Sequence, residues 1–139
     1  LVWHPTAKEP FKAALANCAG VIANAGFEMA SESIHLGKKL LVKPLAGQFE
    51  QLSNATTLAD LGLCEVMAIF DLDIIEQWLQ SSPLGGAEFK SDPHILIDWL
   101  IKRQWSDTQG LCRSLWEQVN FSPALQQSLN RLSYPSDPQ

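Results

Sequence analysis

The first half of the chain alternates short apolar runs with longer segments of mixed polarity. The apolar runs lie at 21–23, 40–42 and 65–69, and their length is typical of strands. The segments between them repeat apolar residues at intervals of three and four, which is the spacing of one helix face. Because strands that alternate with helices usually form a parallel sheet, this pattern predicts an α/β fold.

A first helix, which Thr6 can cap, is predicted to cover Phe11, Ala14 and Leu15. Three more helices accompany the strands, and their apolar stripes are expected to face the core. Of these three, the first two are predicted at 27–37 and 48–61, and the third begins after Asp71, whose side chain can cap it. The residues expected in the core are Phe27, Ala30 and Ile34 in the first of the three, Leu52, Ala55 and Ala59 in the second, and Ile74, Ile75, Trp78 and Leu79 in the third.

The second half of the chain is predicted to be helical, with helices at 93–102, 107–119 and 123–132. Residues 81–92 contain Pro83 and two glycines, so they are expected to form a flexible linker. Tryptophans on apolar helix stripes usually pack in a core, which is the role expected of Trp78, Trp99, Trp105 and Trp116.

These elements predict a three-layer, Rossmann-like α/β fold, in which a parallel sheet carries helices on both faces and C-terminal helices follow. Residues 1–3 resemble a strand with no connection leading into it, so the sheet is expected to be truncated at its N-terminus. The expected domain division is 1–80 for the α/β part, 81–92 for the linker, and 93–139 for the C-terminal helices and tail.

Composition narrows the classes of function. The chain has 139 residues, a formal charge of -5 and a pI near 5.0, which argues against a nucleic-acid partner because such proteins concentrate Lys and Arg on one face. Its three cysteines and three histidines lack metal-ligand spacing, so no metal site is expected. No apolar run approaches the roughly 20 residues of a membrane-spanning helix. We expect a cytoplasmic protein, with membrane contact of a longer, full-length form left open.

The first candidate site is the turn between the strand at 21–23 and the helix that follows. Its glycine permits positive φ and lets backbone N–H groups approach an anion at the helix start. An acidic side chain near that helix start suits a pair of ribose hydroxyls. The alternative interpretation is an ordinary tight turn with a solvated helix face. The candidate residues are Asn24, Ala25, Gly26, Phe27, Glu28, Ser31 and Glu32.

A second polar group begins the next helix. Amides and carboxylates suit sugar hydroxyls, which both donate and accept hydrogen bonds. The alternative is helix capping within a polar surface. The residues are Gln48, Glu50, Gln51 and Asn54. Since ligands of open α/β sheets bind beyond the carboxyl ends of the strands, both groups are expected to face one crevice there.

Residues 18–55 contain the pattern GVIxNAGFxxxSExxxxGKxLxxxPxxxQxEQxxNA. This order of residues resembles the C-terminal donor-binding domain of two-domain GT-B glycosyltransferases. The likeness is greatest to the family 28 type, which includes the N-acetylglucosaminyltransferase of peptidoglycan synthesis, and to an uncharacterised bacterial and archaeal branch of it. The resemblance implies that Gly26 meets the donor diphosphate and that Glu32 holds the ribose. It implies that Glu50, Gln51 and Asn54 meet the donor sugar. Asn24 stands where plant-type relatives carry a histidine.

The resemblance implies a hexosyltransferase that uses a UDP-sugar or related nucleotide sugar as donor, with no cofactor. This chain would be most of the donor-binding half and inactive alone, because the family also has an N-terminal acceptor-binding domain. The expected partners are the donor, that missing domain, and a second copy of the chain at an exposed sheet edge. Two alternatives remain open: a non-catalytic nucleotide-sugar-binding module, and an enzyme like the nucleotide-sugar 2-epimerases.

Overall fold

The computed structural model describes residue 3 and residues 8–83, 85–90 and 92–131. Seven helices and five short strands lie within these residues. In chain order they are α1 (Lys8–Asn17), β1 (Gly20–Ala23), α2 (Phe27–His35), β2 (Lys39–Val42), α3 (Phe49–Asp60), β3 (Glu65–Val66), α4 (Leu72–Gln80), β4 (Ala87–Glu88), α5 (His94–Ile101), α6 (Thr108–Trp116), β5 (Asn120–Phe121) and α7 (Pro123–Arg131). Most of the strand predicted at 1–3 and the tail beyond 131 lie outside the described residues.

A parallel sheet with the order β1-β2-β3 forms the centre of the fold, and the predicted parallel pairing is confirmed. Ala23 lies opposite Val42 at the carboxyl ends of the first two strands. β3 is shorter than the predicted run 65–69. Met67 is the last buried residue of that run, and its N–H donates to the Val42 carbonyl at 2.8 Å. The chain then bends towards α4, so the remaining apolar residues of the run are exposed.

Helices cover both faces of the sheet. Successive side chains of the central strand β2 point to opposite faces, so each face has its own core. Leu40 and Val42 pack with Ala30 of α2 and Ala55 of α3. Leu41 faces the other side, which α4 covers. The residues of this second core are Leu41, Met67 and Trp78, with Ile74 and Ile75 packed against them. The predicted arrangement of helices on both faces is therefore confirmed.

Small residues, rather than the largest ones, bring α2 and α3 against the sheet. Ala30, Ser33 and Ala55 are buried, whereas Phe27 is 73% exposed and Leu52 is also exposed. Both large side chains lie in the first turns of their helices, where the helices begin beyond the strand ends. The prediction that Phe27 and Leu52 join the core is therefore wrong, as it is for Ala59 and Leu79, which are exposed.

The tryptophans are divided between core and surface. Trp78 is buried under the sheet and Trp99 is half-buried. Trp105 and Trp116 are 62% and 58% exposed, so the prediction of core packing is wrong for these two. Within the described residues α6 packs mainly against α5, and such a pair of helices leaves much of each one's surface outside the contact.

A second, two-stranded sheet was not predicted from the sequence. β4 and β5 pair antiparallel, with Ala87 opposite Phe121. This sheet packs on the carboxyl end of α2 through two glycines. A Cβ atom at Gly86 would lie 2.6 Å from the Ile34 carbonyl oxygen, and Gly37 has a φ of +66°. The close approach requires glycine at both positions. The division of the chain at 81–92 remains a prediction.

Candidate functional site

The turn after β1 presents the start of α2 at the carboxyl edge of the sheet. Gly26 is the N-cap residue, with φ -74° and ψ 149°, and no side chain caps the helix. These angles are open to any residue, so positive φ is not the reason for glycine here. A Cβ atom at Gly26 would meet nothing within 4 Å. The space beside Gly26 is therefore open, and the first N–H groups of α2 have no side-chain partner, which is the arrangement that suits an anion at a helix start.

Asn54 joins α3 to this turn. Its side-chain Nδ2 donates to the carbonyl of Ala25 at 3.1 Å, and Ala25 is fully buried. Asn54 and Ser31 also line one pocket of about 210 Å³ between α2 and α3. The Ser31 hydroxyl donates to the Phe27 carbonyl at 2.8 Å. Thr57, one turn beyond Asn54, lines the same pocket and was not predicted. Its spacing of three from Asn54 is the signal that could have identified it.

Gln51 holds the loop between β2 and α3. Its Oε1 accepts a hydrogen bond from the N–H of Leu45 at 2.9 Å, and Gly47 in the same loop has a φ of +80°. Gln48 is the N-cap residue of α3, yet its side chain makes no capping hydrogen bond. The alternative interpretation of Gln48 as a side-chain cap is therefore wrong.

The same loop and the end of β3 form a pocket of about 420 Å³. Gln48 lies in its wall, and most of the remaining lining is apolar. The apolar residues include Leu45, Phe49, Leu52 and Val66. The sequence did not reveal this pocket, because the apolar spacing of α3 predicted that Leu52 would face the core.

The three acidic candidates lie on two helices, since Glu28 and Glu32 belong to α2 whereas Glu50 belongs to the α3 group. Glu28, Glu32 and Glu50 are exposed, and within the described residues their side chains form neither a hydrogen bond nor an ion pair. With 3.6 residues per turn, Glu32 lies about 100° around α2 from Ser31. The face of α2 that meets α3 includes Ser31 and Ala30. The structure therefore brings Asn54 to the turn and places Glu32, the sixth of the nine residues of α2, on another side of that helix. That both polar groups face one crevice remains a prediction.

Two further properties bear on chemistry. No group of three potential metal-ligating side chains occurs within residues 8–83, 85–90 and 92–131. Burial raises the pKa of the Cys64 thiol from 9.0 to about 11, and the neighbouring Glu65 adds to the shift.

In the part of the chain that the structure describes, none of the helices has both the length and the apolar character to cross a membrane.

Comparison with known proteins assigns the chain to a family. Residues 1–83, more than half of the chain, match the sequence model described as Glycosyl transferase family 1. The chain belongs to this glycosyltransferase family. The matched range contains the turn at Gly26, both helices of the candidate site and α4, and it ends before β4. No curated protein and no solved structure matches significantly. The finer likeness of this glycosyltransferase chain to family 28 remains a prediction.

Proposed function

We propose that the chain is the donor-binding half of a glycosyltransferase that transfers a hexosyl group from a nucleotide sugar, with a UDP-sugar or a related compound as donor. The donor diphosphate would lie at the start of α2. Three features support this: the uncapped helix start, the open space at Gly26, and the position of both at the carboxyl edge of a parallel sheet. A helix N-terminus carries about half a positive charge, which favours an anion there.

The observation that carries the proposal is the hydrogen bond from Asn54 to Ala25. It fixes the polar start of α3 beside the turn and leaves Glu32 on another side of α2. An extended donor lying across the helix start would have its ribose at Glu32 and its sugar at Asn54 and Gln51. The ribose and the sugar are the two ends of one molecule, so the two groups need not share one side of α2 to bind the same donor.

In this proposal, the chain contributes to transfer by stabilising the leaving group. As the bond between sugar and diphosphate breaks, negative charge grows on the diphosphate, and fixed N–H dipoles at the start of α2 stabilise that charge without reorganising. The acceptor and its general base would come from another part of the enzyme. Membership in a glycosyltransferase family favours this function over a non-catalytic module or a 2-epimerase-like enzyme.

The test is nucleotide binding by the chain and its Glu32→Gln variant. A charge-assisted hydrogen bond is worth roughly 1.5–3 kcal/mol, so the variant should bind UDP and UDP-hexoses about tenfold or more weakly. Calorimetric titration measures the affinity, and thermal melts check that the fold is intact. Glu76→Gln is the matched control, because Glu76 is an exposed residue of α4, which covers the opposite face of the sheet. Equal affinities in all three proteins would contradict the ribose role of Glu32.

A further inference from the structure

A pocket of about 330 Å³ lies in the C-terminal half, between the residues after β4 and the end of α6. Its wall contains two aromatic side chains, Phe89 and Trp116, and two aliphatic ones. Its polar residues are Lys90, Asp92 and Gln118. This combination of a mainly apolar wall with a few polar groups is typical of sites for small ligands.

The aromatic wall is held in place and still accessible. The ring of Trp116 stacks on Phe121 of β5, with centroids 6.4 Å apart and planes 21° from parallel, yet 58% of Trp116 is exposed. Phe89 is fixed through its backbone, since its N–H donates to Nδ1 of His35 at 3.4 Å. An exposed aromatic surface supported from behind needs no rearrangement to receive a flat apolar face.

The polar residues retain hydrogen-bonding capacity. Oδ1 of Asp92 accepts from the N–H of His94 at 3.0 Å, which orients the carboxylate. Oδ2 of Asp92 and the side chains of Lys90 and Gln118 form no hydrogen bond within the described residues. The rim of the pocket therefore offers a carboxylate oxygen, an ammonium group and an amide beside the aromatic wall.

We propose that this pocket binds a pyranose residue of a glycan chain. A pyranose ring has an apolar face of C–H groups, which suits an aromatic surface, and a rim of hydroxyl groups that donate and accept hydrogen bonds. Trp116 and Phe89 provide the surface, and Asp92, Lys90 and Gln118 match the rim. A carboxylate accepts from two neighbouring hydroxyls, while an amide both donates and accepts.

The pocket is separate from the positions proposed for the donor diphosphate and the donor sugar, which lie near the start of α2. His35, which contacts Phe89, is the last residue of α2, whereas Gly26 lies at the other end of that helix. A helix of nine residues is about 13 Å long. The pocket would therefore hold a sugar residue remote from the one that reacts, as a glycan chain of several residues would provide.

The test is binding of neutral hexasaccharides to the whole chain. Cellohexaose, maltohexaose and chitohexaose are titrated separately, with glucose for comparison, and binding is followed by heteronuclear NMR and by tryptophan fluorescence. We expect at least one hexasaccharide to bind, and Trp116→Ala to weaken that binding about tenfold or more, the scale of losing an aromatic stacking contact. Trp105→Ala is the matched control, because Trp105 is 62% exposed and lies outside the pocket.

Two more variants separate a binding role from a folding role. Asp92→Asn keeps the oxygen that accepts from His94, and Gln118→Ala leaves the aromatic stack intact, so both should weaken glycan binding with unchanged thermal melts. UDP affinity should be the same in Trp116→Ala and the unaltered chain, which keeps this test distinct from that of the donor site.

Binding of none of the hexasaccharides at millimolar concentration, or equal loss in Trp105→Ala, would overturn the proposal. So would a dimer in sedimentation that Trp116→Ala abolishes, because the aromatic surface would then be a contact between copies.

Discussion

At the scale of single residues, Lys39 shows how one side chain joins distant elements. Its ammonium donates to the carbonyls of Trp78, Leu79 and Ser81 at 2.8, 2.7 and 3.0 Å, and it lies 4.9 Å from the centre of the Trp78 ring. A cation at a helix C-terminus is stabilised by the helix dipole. In the sequence Lys39 follows the end of α2 by four residues. The structure places it at the end of α4, because only the fold reveals which helix ends beside β2.

Lys39→Met should lower the free energy of unfolding by about 1.5 kcal/mol, since hydrogen bonds to charged groups are worth roughly 1.5–3 kcal/mol and the freed carbonyls can partly turn to water. Methionine keeps most of the aliphatic stem. Urea denaturation measures the change. Lys12→Met is the control, because Lys12 is exposed on α1 and forms no hydrogen bond or ion pair within the described residues. Equal denaturation midpoints for the two variants would contradict the role given to Lys39.

The raised pKa of Cys64 predicts its reactivity. In the folded chain its thiolate forms near pH 11, whereas in the unfolded chain it forms near the usual 9.0. Its contribution to stability is therefore complete below about pH 9 and is lost as the pH rises through about 11. At pH 8 iodoacetamide should label the exposed Cys112 well before Cys64. Mass spectrometry of the labelled peptides measures the order, and faster labelling of Cys64 than of Cys112 would contradict the protection of Cys64 by burial.

At the scale of elements, the helices differ in how they begin. Asp71 caps α4, accepting from the N–H groups of Asp73 and Ile74, and Asp107 caps α6 by accepting from Gly110. The starts of α2 and α3 have no side-chain cap, and neither does that of α5, whose N-cap residue is Pro93. What distinguishes α2 and α3 is that both begin at the proposed donor site, so their free N–H groups are available to a ligand. A cap adds stability to a helix, and an uncapped start at this edge of the sheet is the expected cost of an anion site.

Gly26→Asp should therefore stabilise the fold and impair donor binding. The backbone angles of Gly26 suit an N-cap aspartate, and the position has room for the side chain. A cap is worth about 1 kcal/mol relative to an uncapped residue, and somewhat less relative to glycine. The added carboxylate would occupy the N–H groups and repel a diphosphate. Thermal melts and UDP titration measure the two effects, with Gly26→Ala as the uncharged control. Undiminished UDP affinity in Gly26→Asp would contradict diphosphate binding at this helix start.

At the scale of the whole molecule, the features predicted from the sequence were local or periodic. The parallel strands, the Asp71 cap and the helices on both faces follow from residue spacing alone. The pairing of β4 with β5 could not be predicted, because each strand has two residues and its partner lies far along the chain. The exposure of Trp116 could not be predicted either, because helical spacing shows that a stripe is apolar without showing whether another element covers it. The Asn54 to Ala25 contact likewise depends on the crossover that places α3 beside the turn.

The outer edge of β1 gives the last prediction, which concerns association between molecules. Within residues 8–83, 85–90 and 92–131 no strand pairs with that edge, and Ile22 of β1 is 46% exposed. Unpaired strand edges invite pairing with another chain, and lysine on an edge discourages it. We expect the chain to dimerise with rising concentration in sedimentation equilibrium, and Ile22→Lys to shift it towards monomer. Ile97→Lys is the control, because Ile97 is 41% exposed on α5, away from the edge. A monomer at all concentrations, or equal effects of both variants, would contradict association through β1.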